Sequence, residues 1–132
     1  ELIISSAHRS PERTKNYIKE AEEKVAQVII AVAGMAAHLA GALAATTTKP
    51  VLSVPMASGE LRGEDALLST VMMPGGMPVG TLAIGKAGAI NAALAAAAIL
   101  ANKYDDVLKR LEEYRASQTA NVLDSNQLED LK

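Results

Sequence analysis

The chain carries only two histidines, and each falls in a short loop that follows an apolar run. His8 lies in Ser5-Ser6-Ala7-His8-Arg9-Ser10, directly ahead of Pro11. A histidine changes charge near pH 6.5, so it can give and take a proton around neutrality. Arg9 adds a planar fork of donors that suits a phosphate or carboxylate. A helix beginning at Pro11 would bring backbone N–H groups to the same place. The bland alternative is a capping serine beside a solvated His-Arg pair, and the residues alone leave both readings open. His38 sits in a second loop, Ala33-Gly34-Met35-Ala36-Ala37-His38-Leu39, whose small residues let backbone amides approach a flat ligand. At the start of an apolar helix it reads as a ligand contact or, by preference, as a satisfied interior group.

The remaining loops hold less chemistry. Pro55-Met56-Ala57-Ser58-Gly59 and Met73-Pro74-Gly75-Gly76 offer no acid or base, and suit a pocket wall or a subunit seam. Gly85-Lys86-Ala87-Gly88 hints at phosphate binding but lacks the GxxxxGK[ST] spacing. There is no Ser-His-Asp set, and no carboxylate pair lies on a strand-end loop. The equipment is one proton-shuttling histidine, one anion-holding arginine and a dry pocket of small residues. It suits proton transfer or carboxyl migration on a substrate that supplies its own electron sink.

The elements that must position these residues follow from the apolar pattern. Leu2 to Ser5 is expected as a strand, and Ser10-Pro11-Glu12 as a helix start. Thr14, Tyr17, Ile18, Ala21 and Val25 repeat at helical spacing, with Glu20 and Lys24 as an outward pair. Strands are predicted over Val28–Ala33, Pro50–Val54 and Val79–Ile84, with helices over Ala37–Ala45, Glu64–Thr70 and Gly88–Ala101. Tyr104, Val107, Leu108, Leu111 and Tyr114 mark a last amphipathic helix. Strands alternating with helices mean βαβ units and a parallel sheet, with ligands gathering at the strands' carboxyl ends. One domain is expected over 1–123, with its first βα unit missing from the chain, and a polar tail over 124–132.

Composition limits the partners. With 132 residues, a net charge of −2 and no cysteine, the chain has no basic surplus for nucleic acid, no disulfide framework and no thiolate chemistry. Two histidines are too few for a His-rich metal site. Alanine supplies 25 residues, and Lys49 is the only formal charge between Ala31 and Gly59, as Lys86 is between Ala66 and Ala101. So much small apolar surface points to extensive subunit contacts. The uncharged tract Val28–Ala45 is long enough to test as a membrane span. Its histidine, its glycines and its change from β-branched to helix-forming residues argue against one. Glu1-Leu2-Ile3-Ile4 lacks the basic start of a secretory signal.

Ser6-Ala7-His8-Arg9-Ser10-Pro11-Glu12 closely resembles the SAHRTP(D/E) segment of the class I 5-(carboxyamino)imidazole ribonucleotide mutases of purine biosynthesis. Val28-Ile29-Ile30-Ala31 with Ala36-Ala37-His38-Leu39 resembles that family's VIIAGAGGAAHLPG. Met73-Pro74-Gly75-Gly76-Met77-Pro78-Val79 resembles its MPxGxPV loop, and Thr81 to Ala93 its following strand and helix. The similarity runs from about Ile3 to Ala101 in constant order. It implies a flavodoxin-like three-layer αβα sandwich, assembled as a homo-octamer with shared sites in the cytoplasm.

The implied reaction moves a carboxylate from the exocyclic nitrogen of an aminoimidazole ribonucleotide to a ring carbon, through carbon dioxide, with no metal and no organic cofactor. By the resemblance, His8 is the acid/base and Arg9 a phosphate ligand. Ser6, Ala7, Gly34, Met35, Ala36, Ala37, His38 and Leu39 line the imidazole and carbon dioxide pocket. Val32, Met35 and Ala40 stand where the family usually has Gly, Gly and Pro, and Met35 is expected to project where backbone normally meets the substrate. The runner-up readings are direct carboxylation of aminoimidazole ribonucleotide, and a non-catalytic nucleotide-binding or assembly scaffold.

Overall fold

The computed structural model describes residues 1–125. Two β-branched or apolar runs make the longest pairing of its sheet: β1 (Ile29–Gly34) and β2 (Val51–Met56) pair in parallel, Ile29 opposite Val51 and Gly34 opposite Met56. A third strand, β3 (Gly80–Thr81), adds in parallel beside Leu52 and Ser53, giving the order β1-β2-β3. α1 (Pro11–Glu23) precedes β1, α2 (Leu39–Ala44) and α3 (Glu64–Val71) run between the strands, and α4 (Lys86–Ala101) and α5 (Asp105–Ser125) follow β3. An all-parallel sheet with flanking helices is the flavodoxin-like α/β architecture expected.

β2 is the middle strand and is buried from Val51 to Pro55, which explains why its side chains there are apolar apart from Ser53. Pro55 has no N–H to give the ladder, but its carbonyl accepts the Gly85 N–H at 2.8 Å. On one face, Ala31 and Val51 pack with Ile18 of α1 and with Ala40 and Leu43 of α2. The alternate residues of β1, Ile30 and Val32, are 41% and 49% exposed, so its other face is partly open. α3 packs against β2 and β3 and buries Ala66 and Thr70.

The chain divides into two compact units, Glu1–Ala96 and the segment from Ala97 onward. In the second, Asn102 donates to the carbonyls of Ala98 and Ile99 and closes the end of α4. Asp105 and Asp106 occupy the first turn of α5, where the helix dipole favours negative charge. Asp106 also pairs with Arg110 at 3.8 Å, the only ion pair among the described residues.

Four expectations change. Leu2 to Ser5 joins no ladder, and Leu2 and Ile4 are 95% and 90% exposed. A strand needs a hydrogen-bonded neighbour, and β1 pairs only with β2 among the described residues. The segment instead flanks a groove of about 630 Å³ along β1. The strand expected over Val79–Ile84 shortens to two residues, although Leu82 still donates to Ser53 at 2.9 Å. Val25 is not on the buried helical face, because α1 ends at Glu23 and Lys24 caps it; Glu20 and Lys24 form no ion pair among the described residues. The last helix runs past Tyr114 to Ser125. The polar tail expected over 124–132 lies mostly outside the described residues, and no described helix is long and apolar enough to cross a membrane.

Candidate active site

The turn that carries His8 is built by serines. Ser6 O accepts the Ser10 N–H at 2.9 Å and the Ser10 hydroxyl at 3.0 Å, while Ser6 Oγ accepts the Arg9 N–H at 3.2 Å. Ser10 O in turn accepts from the N–H and the hydroxyl of Thr14, both at 3.1 Å, so the turn feeds directly into the buried face of α1. Pro11 at the first helical position fits a helix start, where no N–H is needed. His8 and Arg9 project outward from this frame and are exposed. Among the described residues no carboxylate pairs with Arg9, so its guanidinium is available to an anion.

The second loop leaves β1 at Gly34. A Cβ there would displace the Ser58 hydroxyl and crowd Met56 O at 3.2 Å, so glycine lets the loop after β2 come this close. Met35 follows with φ 56°, a left-handed conformation uncommon for a side-chain-bearing residue. Its side chain is 61% exposed and leans toward Gly59, with Cγ 3.8 Å from where a Cβ on Gly59 would stand. Ala37 is 1% exposed, and its N–H donates to Ser69 Oγ at 3.1 Å. Ser69 Oγ itself donates to Asp65 O at 2.6 Å. α3 therefore holds the loop in place.

His38 is the residue immediately before α2, and it is exposed rather than interior. Its Nδ1 lies 2.8 Å from His8 Nε2, with the ring centroids 4.9 Å apart and the planes at 83°. The two histidines, thirty residues apart in sequence, meet nitrogen to nitrogen with their ring planes nearly perpendicular. Ser6 and Ala7 precede His8 in its turn, and Gly34, Met35 and Ala36 precede His38 in its loop. The Ala37 and Leu39 side chains point elsewhere: Ala37 is buried, and Leu39 packs against the Ile18 and Leu43 core. Any role of these two in a pocket falls to their backbone.

Sequence reasoning passed over three residues. Ser58 sits above Gly34, and Ser69 anchors Ala37. Asp65 has a carboxylate oxygen, Oδ1, that is buried without a hydrogen-bond partner in the first turn of α3. Each lies in a helix or loop far along the chain from the histidines, and nothing local marks it. Among the described residues no three of His, Cys, Asp and Glu converge as a metal-binding group would require. Gly85 takes φ 75° and leads into α4 at Lys86 as a turn rather than a phosphate cradle.

Residues 1–121 match the AIR carboxylase family. The chain belongs to that family. It is similar to the N5-carboxyaminoimidazole ribonucleotide mutase of Pseudomonas aeruginosa, with 54% identity over 125 residues that cover 95% of this chain and 77% of the relative. The mutase of Brucella melitensis is 57% identical over 90% of this chain and 74% of its own length. That of Escherichia coli K12 is 54% identical over 92% of this chain and 72% of its own length. In the AIR carboxylase chain, the histidine pair and the unpaired Arg9 all fall inside the matched span.

Proposed function

We propose that the chain is an N5-carboxyaminoimidazole ribonucleotide mutase of purine biosynthesis, an isomerase that yields 4-carboxy-5-aminoimidazole ribonucleotide. The observation that carries the reading is the meeting of His8 and His38 beside an unpaired Arg9, inside a span about half identical to mutases of that name.

Substrate and product are isomers, which fixes the proton bookkeeping. His8, as imidazolium, gives its proton to the exocyclic nitrogen as the nitrogen–carboxylate bond breaks, and that bond's electron pair stays on nitrogen. Carbon dioxide is released within the site. The amine's electrons push through the ring, and the ring carbon attacks carbon dioxide to form the new carbon–carbon bond. Neutral His8 then removes the hydrogen from that carbon and restores the aromatic ring. His8 ends protonated, as it began, and one side chain serves as acid and then base.

Arg9 binds the ribonucleotide phosphate through charge-assisted hydrogen bonds. Ser6, Ala7, Gly34, Met35, Ala36 and the backbone of Ala37 and Leu39 line the side of the imidazole and carbon dioxide pocket that this chain supplies. His38 contacts the same pocket. The exposed apolar side chains of Leu2, Ile4, Ile30 and Val32 support assembly into a homo-octamer, and a soluble ribonucleotide substrate supports a cytoplasmic location. Turnover of the carboxyamino ribonucleotide without added bicarbonate tests the reaction. Loss of turnover unless aminoimidazole ribonucleotide and bicarbonate are supplied would overturn it in favour of direct carboxylation.

A further inference from the structure

A nitrogen–nitrogen contact of 2.8 Å requires one donor and one acceptor, so His8 Nε2 and His38 Nδ1 hold a single proton between them. Two doubly protonated rings would aim N–H at N–H and lose the bond. The reaction above needs His8 to start as imidazolium, with both of its nitrogens protonated. His8 Nε2 is then the donor and His38 Nδ1 the acceptor, which leaves His38 neutral with its own proton on Nε2.

The two rings are held unequally. His38 belongs to a fixed backbone: its N–H donates to Ala36 O at 2.9 Å, its carbonyl accepts from Ala42 at 3.0 Å, and the preceding residue is buried and tied to Ser69. His8 stands on an exposed turn, and His38 Nδ1 is the ring contact that orients it.

We propose that His38 is a positioning residue for the mutase reaction: in its neutral Nε2–H form it accepts the His8 Nε2–H, fixes that ring, and leaves His8 Nδ1 as the nitrogen that exchanges the substrate proton. This rests on the reading of His8 as the acid/base.

With two histidines in the chain, nitrogen-15 NMR of the histidine-labelled protein resolves both rings, and a His8→Asn sample assigns them. The expected spectrum at neutral pH has His38 protonated on Nε2 and bare, hydrogen-bonded, on Nδ1. A proton on His38 Nδ1 overturns the proposal, whatever the activity. In kinetics, His38→Leu is expected to lower kcat roughly 10- to 100-fold, the usual cost of losing a group that orients a working side chain, with a much smaller change in KM. His38→Asn, whose amide oxygen can accept in place of Nδ1, is expected to recover most of that loss. An unchanged kcat in His38→Leu, or equal losses in both variants, contradicts the positioning role. Full turnover by His8→Asn would instead remove the acid/base reading and leave the NMR result to stand alone.

Discussion

The Ser69 hydroxyl accepts the Ala37 N–H at 3.1 Å and so fastens α3 to the loop that carries His38. Because Ala37 is buried, that N–H has no ready water to replace the serine. Ser69→Ala is expected to cost about 1–3 kcal/mol, the penalty for a buried donor left without a partner. Urea unfolding measures the loss, and kcat should fall with it as His38 loses its fixed seat. Unchanged stability would show that the loop is held by other contacts.

α1 ends in a paired-bond cap that normally asks for glycine. Val25 N–H donates to Glu22 O at 3.0 Å, and Ala26 N–H to Ala21 O at 2.9 Å, with Val25 at φ 71°. This is the geometry of a Schellman motif with a β-branched residue at its left-handed position. Such a residue there costs about 1–3 kcal/mol. Val25 is 69% exposed, so its replacement sacrifices little packing. Val25→Gly is expected to stabilise the protein by about 1 kcal/mol after the added chain entropy of glycine, read as a higher melting temperature.

Met35 presents the same backbone problem inside the site, at φ 56°. Met35→Gly should relieve about 1 kcal/mol of left-handed strain and open the backbone to the substrate. A lower KM for the carboxyamino ribonucleotide is the expected result. A raised KM would mean that the methionine side chain is itself a substrate contact.

The architecture was largely legible because its signals are local. The β-branched run Val28–Ala33 and the buried run Pro50–Val54 became the paired strands, and Ser10-Pro11-Glu12 opened a helix. The misreadings depend on partners. Leu2 to Ser5 has the composition of a strand, but composition does not supply the neighbour that a ladder needs. His38 looked interior because its neighbours Ala37 and Leu39 are apolar. Those two do turn into the protein, while the ring between them faces out to His8. A contact across thirty residues, like the Ser69 bond to Ala37, leaves no periodic trace along the chain.

Arg9→Ala should weaken phosphate-bearing ligands selectively. Loss of a charge-assisted contact of about 1.5–3 kcal/mol corresponds to a roughly 10- to 150-fold higher dissociation constant for the ribonucleotide. Binding of an aminoimidazole that lacks the ribose phosphate should not change. Equal weakening of both ligands would place Arg9 against the base instead.

In the proposed reaction one imidazole does both proton transfers, and His8→Asn in the full chain measures this most directly. Turnover of the carboxyamino ribonucleotide by this variant is expected to fall by at least ~10²-fold, the usual contribution of a positioned acid/base, while titration still detects ligand binding. Turnover near the wild-type rate, with the same ligand affinity, would contradict the account.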